Sequence, residues 1–189
     1  MNIIEIPPSR LDEYTHIPIA FEARMIFDLY LPQNGLGGIQ FHERPVSPYI
    51  KDYDLLGSPL TWPDEFDLKN WGIFLALDSE TPVGGAAVAW NTNGVNMLES
   101  RRDLSVLWDI RVLPERRGHG IGRQLFDHAA SWSRRKGCTQ MKIETQNVNV
   151  SACRFYEARG AVLGDIRRFA YQNDSRVCNE VQLNWFLAL

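Results

Sequence analysis

The chain has 189 residues, 44% of them hydrophobic, and a formal net charge of −3, which fits one domain with a full core over residues 1–189. The mild acidity gives no reason to expect nucleic acid as a partner, and no apolar run approaches the roughly 20 residues of a membrane span. Three well-separated cysteines, Cys138, Cys153 and Cys178, form no disulfide framework and four histidines show no metal-ligand spacing, so a reducing cytoplasmic setting without a metal is expected.

Met1 to Pro8 is short, includes Glu5 and does not read as a secretory leader. Ile19 to Tyr30 reads as a helix, with Ile19, Ala23, Ile26, Phe27 and Tyr30 on one side. Leu31 to Pro63 is rich in Pro and Gly and weakly periodic, a long loop of the kind that is often functional. Trp71 to Leu77 and Val83 to Trp90 are apolar runs joined by a turn at 78–82, which predicts a hairpin. Ser105 to Leu113 reads as a strand in which Val106, Trp108, Ile110 and Val112 alternate against Leu107, Asp109, Arg111 and Leu113. Pro114 ends it, having no amide to donate.

A Gly-rich loop follows and runs into a helix to about Lys136, with Ile121, Leu125, Ala129 and Trp132 as its apolar stripe and Gly137 at its end. Thr139 to Thr145 is a strand, Asn149 to Arg159 a helix ended by Gly160. Ala161 to Tyr171 and Val177 to Leu187 read as two closing strands around the turn Asn173-Asp174-Ser175. The order predicts a mixed α/β (α+β) sheet rather than a doubly wound one.

Charge is uneven. Residues 52–80 hold seven acids against Lys69 alone, and residues 111–136 hold seven bases against Glu115 and Asp127. Each segment is either solvated surface or a surface that meets a charged ligand, the first a cation and the second an anion.

The loop Arg116-Arg117-Gly118-His119-Gly120-Ile121-Gly122 carries the chemistry. The first amides of a helix lack intrahelical partners and its dipole is positive there, so a strand passing through Gly-rich backbone into a helix suits a phosphate. A P-loop would end in Gly-Lys-Ser/Thr, whereas Gly122 is followed by Arg123 and Gln124. A Rossmann fingerprint would space its glycines as GxGxxG, which Gly118, Gly120 and Gly122 do not.

The loop resembles the Arg/Gln-x-x-Gly-x-Gly/Ala motif of the GNAT acetyltransferases through Arg117, Gly120 and Gly122. Further on, Asn149-x-x-Ala152-x-x-x-Tyr156-x-x-x-Gly160 resembles that family's second motif. Asp109-Ile110-x-Val112, Glu144-Thr145-Gln146 and Ser151-Ala152-Cys153-x-Phe155-Tyr156 look like the streptothricin acetyltransferases within it, as do Ser47 to Lys51, Asn179-Glu180-Val181 and Trp185. The resemblance implies a GNAT fold, a central mixed and mostly antiparallel sheet flanked by helices, with two central strands splayed to admit acetyl-CoA.

It also implies roles. The amides of Arg117, Gly118, His119, Gly120, Ile121, Gly122 and Arg123 would hold the pyrophosphate. The backbone of Ile110 and Val112 would pair with the pantetheine arm, and a backbone amide near Ile110 or Arg111 would polarise the acetyl carbonyl. Asn149 would bond the pantetheine, and Tyr156 would protonate the departing thiolate. An amine attacks a thioester directly but must first lose a proton, so a carboxylate at Asp109 or Glu144 would anchor the amine or relay its proton; either could equally be a surface or ion-paired residue. The expected acceptor is a small cationic amine such as a lysine-bearing antibiotic, used by a monomer or homodimer. The alternatives are a protein N-terminus, a metabolic amine, or a non-catalytic acyl-CoA sensor.

Overall fold

A computed structural model describes the whole chain, Met1 to Leu189. Its elements in chain order are β1 (Asn2–Glu5), α1 (Leu11–Thr15), β2 (Phe21–Tyr30), β3 (Gln40–Lys51), α2 (Trp62–Glu65), β4 (Gly72–Asp78), β5 (Thr81–Trp90) and β6 (Leu104–Val112), then α3 (Ile121–Arg135), β7 (Gln140–Gln146), α4 (Val150–Glu157), β8 (Val162–Arg167) and β9 (Gln182–Ala188). The chain forms two compact units, one of Met1–Phe21, Asp52–Ile143 and Leu187–Leu189, the other of Glu22–Lys51 and Glu144–Phe186.

In the first unit the strands lie in the order β1-β4-β5-β6-β7, antiparallel except for the parallel β6–β7 pair. A parallel pair needs a crossover, and α3 supplies it. The expected β4–β5 hairpin forms, with Ser79 at φ 58° in its turn. Both faces of these strands are covered. On one face α3 buries Ile121, Leu125, Ala129 and Trp132, the stripe read from the sequence, together with Phe126, against β4, β5 and β6. On the other face Leu11 and Tyr14 of α1, Ile17, Trp62 of α2, Leu68 and Trp71 pack over Ile73, Leu75, Ala87, Ala89 and Val106. Burying each large apolar side chain of this kind contributes about 1.5–3 kcal/mol.

Adjacent glycines let both layers approach β5. A Cβ on Gly84 would lie 2.9 Å from Ile121 and Leu125 of α3, and one on Gly85 would lie 2.5 Å from the ring of Tyr14. On β6 the alternation expected from the sequence is interrupted. Leu107 registers with Val88 and Asp109 with Ala87, so Trp108 is the extra residue of a bulge. The bulge advances the side-chain phase by one. Val106 and Trp108 therefore share the α1 face with Asp109 and Arg111, while Val112 registers with Gly84 and faces α3.

In the second unit the segment expected to be a helix, Ile19 to Tyr30, is instead the strand β2. It pairs with β3, which lies inside the segment read as a long loop. Two prolines, Pro45 and Pro48, obscure β3 in the sequence. Each strand of a two-stranded sheet has an unpaired edge, where a missing amide costs little. Asn147 ties the unit together. Its backbone amide donates to the Val181 carbonyl (3.0 Å), and its side chain donates to the Phe27 carbonyl (2.9 Å) and accepts from the Val181 amide (2.8 Å). β8 and β9 pair antiparallel, from Val162 opposite Phe186 to Arg167 opposite Gln182. They are shorter than the sequence pattern suggests. Residues 168–181 form the connection, where Asp174 accepts from the amide and guanidinium of Arg176.

Candidate active site

The Gly-rich loop lies in the first unit. After β6, Pro114 opens a single 3-10 turn to Arg116, and the backbone then passes through Gly118 and Gly120, both at φ +81°. That left-handed conformation costs an L side chain roughly 1–2 kcal/mol, so glycine is the fitting residue. Gly120 is the N-cap of α3, no side chain caps this helix end, and no acid occupies its first turn. By helix geometry the amides of Ile121, Gly122 and Arg123 have no intrahelical acceptor. A Cβ at Gly118 or Gly120 would meet nothing within 4 Å, so the backbone is open where an anion would approach.

The arginines in and just after this loop, Arg116, Arg117 and Arg123, have different partners. Arg117 donates to the carbonyls of Val112 (3.0 Å) and Ala20 (2.8 Å), which pins the loop to the end of β6, and burial pulls its pKa below the ordinary arginine value. Arg116 pairs with Asp78 at 2.6 Å and Arg123 with Asp127 at 3.6 Å, all four well exposed. His119 turns its Nδ1 to the Arg117 carbonyl at 3.0 Å, a local loop contact.

Upstream on β6, Ile110 and Val112 are half-buried and register with Ala86 and Gly84 of β5. The parallel register with β7 runs from Leu104↔Gln140 through Leu107↔Ile143. Asp109 and Arg111 form a closed network. Arg111 Nε and Nη2 donate to the two oxygens of Asp109 at 2.9 and 2.6 Å, and Nη1 and Nη2 donate to Asp54 at 3.1 and 3.0 Å. Nη1 also reaches the Ile17 carbonyl at 3.0 Å. Tyr14 donates its hydroxyl to Asp109 at 2.6 Å. Burial works against the Arg111 charge, but the hydrogen bonds and charge of Asp109 outweigh it and push the guanidinium above its ordinary value. Burial and the Asp109 charge hold the Tyr14 hydroxyl well above the usual tyrosine range, so it stays a donor. The sequence offered Asp109 as a carboxylate beside the reacting amine; its oxygens are here engaged by a guanidinium and a phenol. No local signal marks Tyr14 and Asp54 as site residues, because they lie 95 and 57 positions from their partners and only the fold brings them there.

In the second unit Asn149 caps α4, its Oδ1 accepting from the Ala152 amide at 3.1 Å. Tyr156, two turns along that helix, is 5% exposed and packs edge-on against Phe155 at 5.3 Å. Cys153 lies on the same helix, where burial pushes its thiol up to about 11 and leaves it a poor nucleophile. It helps line a cleft of about 190 Å³ with Phe27, Phe41, Leu163, Leu183 and Trp185. Glu144 accepts from Tyr171 (2.5 Å), Gln146 (3.1 Å) and Gln182 (2.5 Å), all neutral donors. The sequence pointed to Glu144 but not to its donors, since Tyr171 and Gln182 reach it from 27 and 38 positions away. Within the first unit the structure thus brings together Asp109 to Val112 and the loop. Within the second, Glu144, Asn149 and Tyr156 lie on β7, at the α4 cap and on α4.

Residues 37–161 match the model of the acetyltransferase (GNAT) family. The chain is 30% identical over 186 residues to a streptothricin acetyltransferase of Escherichia coli, spanning 97% of this chain and 94% of that one. It is 26% identical over 144 residues to streptothricin acetyltransferase A of Bacillus subtilis (strain 168), 76% of each chain. Among solved structures it superposes with a TM-score of 0.76 and 26% identity on a Bacillus anthracis protein assigned to the streptothricin acetyltransferases, in complex with acetyl coenzyme A. That superposition covers 100% of this chain and 97% of the other, and it identifies the mixed, mostly antiparallel sheet as the GNAT fold. The chain belongs to the GNAT family of acetyltransferases, and its resemblance within that family is to the streptothricin acetyltransferases.

Proposed function

We propose that the chain transfers an acetyl group from acetyl-CoA to a primary amine of a small cationic acceptor, of which a streptothricin-like antibiotic is the sharpest candidate. The observation that carries the cofactor half is the turn through Gly118 and Gly120 into the uncapped N-terminus of α3, which offers amides and a positive dipole end but no side chain in the way. The relative solved with acetyl coenzyme A superposes over the full chain. Acetyl-CoA supplies an activated thioester when bound.

The chain's own residues then have the following work. The amides from Arg117 to Arg123 hold the pyrophosphate, while Arg117 fixes the loop through Val112 and Ala20. The β6 backbone at Ile110, Arg111 and Val112 aligns the pantetheine and donates to the acetyl oxygen, as an oxyanion donor does. The Arg111–Asp109–Tyr14 network holds that strand in its bulged form. Asp109 is thereby a positioning residue, and Glu144, which takes part in no ion pair, is the carboxylate that meets a positive charge of the acceptor. Asn149 contacts the pantetheine, and Tyr156 donates a proton to the departing thiolate.

Thiol release from acetyl-CoA across a panel of amines tests this reading. Amines with more than one positive charge should turn over best, with a KM that rises with salt as exposed charges are screened within about 10 Å at 0.1 M. A neutral or anionic amine as best substrate, at a salt-independent KM, removes the cationic acceptor. No release with any amine removes turnover and leaves an acyl-CoA sensor.

A further inference from the structure

One face of the second unit's sheet carries a repeated pattern. On β9, Gln182 donates its amide nitrogen to Glu144 at 2.5 Å, and Asn184 donates its own to Asp165 at 2.9 Å. Both amides are more than nine-tenths buried, at 7% and 1% exposure. Their other ends, Gln182 Oε1 and Asn184 Oδ1, have no donor. Neither Glu144 nor Asp165 takes part in an ion pair: Glu144 is held by Tyr171, Gln146 and Gln182, and Asp165 by Asn184.

The unmatched groups are therefore all of one kind. Two amide oxygens lack donors, and two half-buried carboxylates lack a counter-charge. A buried acceptor left unmade costs about 1–3 kcal/mol, so such groups are normally paired. Water brings donors to amide oxygens but no charge to carboxylates, whereas an alkylammonium brings three donors and one charge together. Three neutral donors fix the Glu144 carboxylate in one orientation, with Gln146 bridging it to Tyr171 by a second bond of 2.8 Å. That rigidity suits holding a charge in place.

We infer that Glu144, Gln182 and Asn184, with Tyr171 and Asp165, form a subsite for an alkylammonium group of the acceptor that is not itself acetylated. Gln182, Asn184 and Tyr171 are then specificity residues. The inference rests on the amine-acceptor reading above and narrows it to amines that carry a second cation.

The test is a titration of the full-length protein with 1,5-diaminopentane at neutral pH, with pentanol as the uncharged control, followed by the side-chain carboxyl carbon-13 resonance of Glu144. Assignment comes from the signal lost in Glu144→Gln. The diamine should move that resonance saturably and pentanol should not. Calorimetry should show Glu144→Gln weakening the diamine by about 10- to 100-fold, the scale of a charged hydrogen bond. Tyr171→Phe, which keeps the ring and removes one donor, should weaken it severalfold and serves if the Glu144 variant does not fold. An unmoved resonance, or affinity unchanged in both variants, overturns the subsite. Acetyl transfer measured on the same samples separates the two readings: transfer without a shift removes the subsite alone, and a shift without transfer to any amine removes the catalytic reading alone.

Discussion

Replacing Arg111 with Met tests whether the network under β6 holds the strand. Arg111 makes five hydrogen bonds with a side chain that is 1% exposed, and Asp109 beneath it is 7% exposed. Removing the guanidinium leaves Asp109 with Tyr14 as its hydrogen-bond donor and the Ile17 carbonyl without this partner. Asp54 suffers less, because 29% of its side chain meets solvent. Breaking a buried pair by removing one partner costs about 3–5 kcal/mol. For a chain of this size that corresponds to roughly 6–20 °C in Tm. Urea unfolding gives the free energy directly. Removing the orphaned charge as well, in Arg111→Met with Asp109→Asn, should recover about 1–3 kcal/mol, the coupling expected of residues in one network. A single-variant loss below about 1 kcal/mol, or strict additivity of the two changes, refutes the view that this pair braces the bulge.

Gly120→Val places a β-branched side chain at φ +81° at the proposed pyrophosphate contact, so calorimetry with CoA should show a large loss of affinity in a folded variant. Tyr156→Phe keeps the ring; kcat should fall by a factor on the order of 10 to 1,000 with little change in CoA affinity, and full activity at saturating acceptor would assign the proton to another group. The thiols should separate in reaction with dithionitrobenzoate at pH 8, with exposed Cys178 reacting promptly and buried Cys138 and Cys153 only on unfolding; a second prompt equivalent would contradict the burial. Cys153 ionises near 9.0 in an unfolded chain and about 11 in the fold, so its contribution to stability is complete below pH 9 and should be lost in denaturant titrations as pH rises toward 11.

Local signals in the sequence located the elements that local chemistry specifies. Pro114 stops β6, Gly120 starts α3 and Gly137, at φ +82°, ends it, so that helix could be placed almost to the residue. The same holds for α4, whose Asn149 cap is a short-range hydrogen bond. The β2–β3 pair was hidden for the opposite reason. Ile19, Ala23, Ile26, Phe27 and Tyr30 fit a helical stripe, but pairing with a strand that contains two prolines overrode the pattern. The bulge at Trp108 left no mark in the composition, yet it decides that Asp109 and Arg111 face Tyr14. Candidate site residues named by motif could be listed from the sequence. The partners that define their chemistry, Tyr14, Asp54, Tyr171 and Gln182, arrive through the tertiary fold across 27 to 95 positions, which no local window contains.

The two glycines side by side in β5 also constrain how this chain can drift. Gly84 and Gly85 touch opposite layers, so the simplest second-site repair of Gly84→Ala is a shortened side chain at Ile121 or Leu125, and that of Gly85→Ala is a smaller ring position at Tyr14. The first repair is cheap to find, because aliphatic residues in α3 can exchange volume with one another. The second removes the phenol bonded to Asp109 and so disturbs the ion pair with Arg111. Neighbouring positions with the same residue thus differ in reversibility: a selection for suppressors should recover many compensated Gly84 variants and few or none at Gly85.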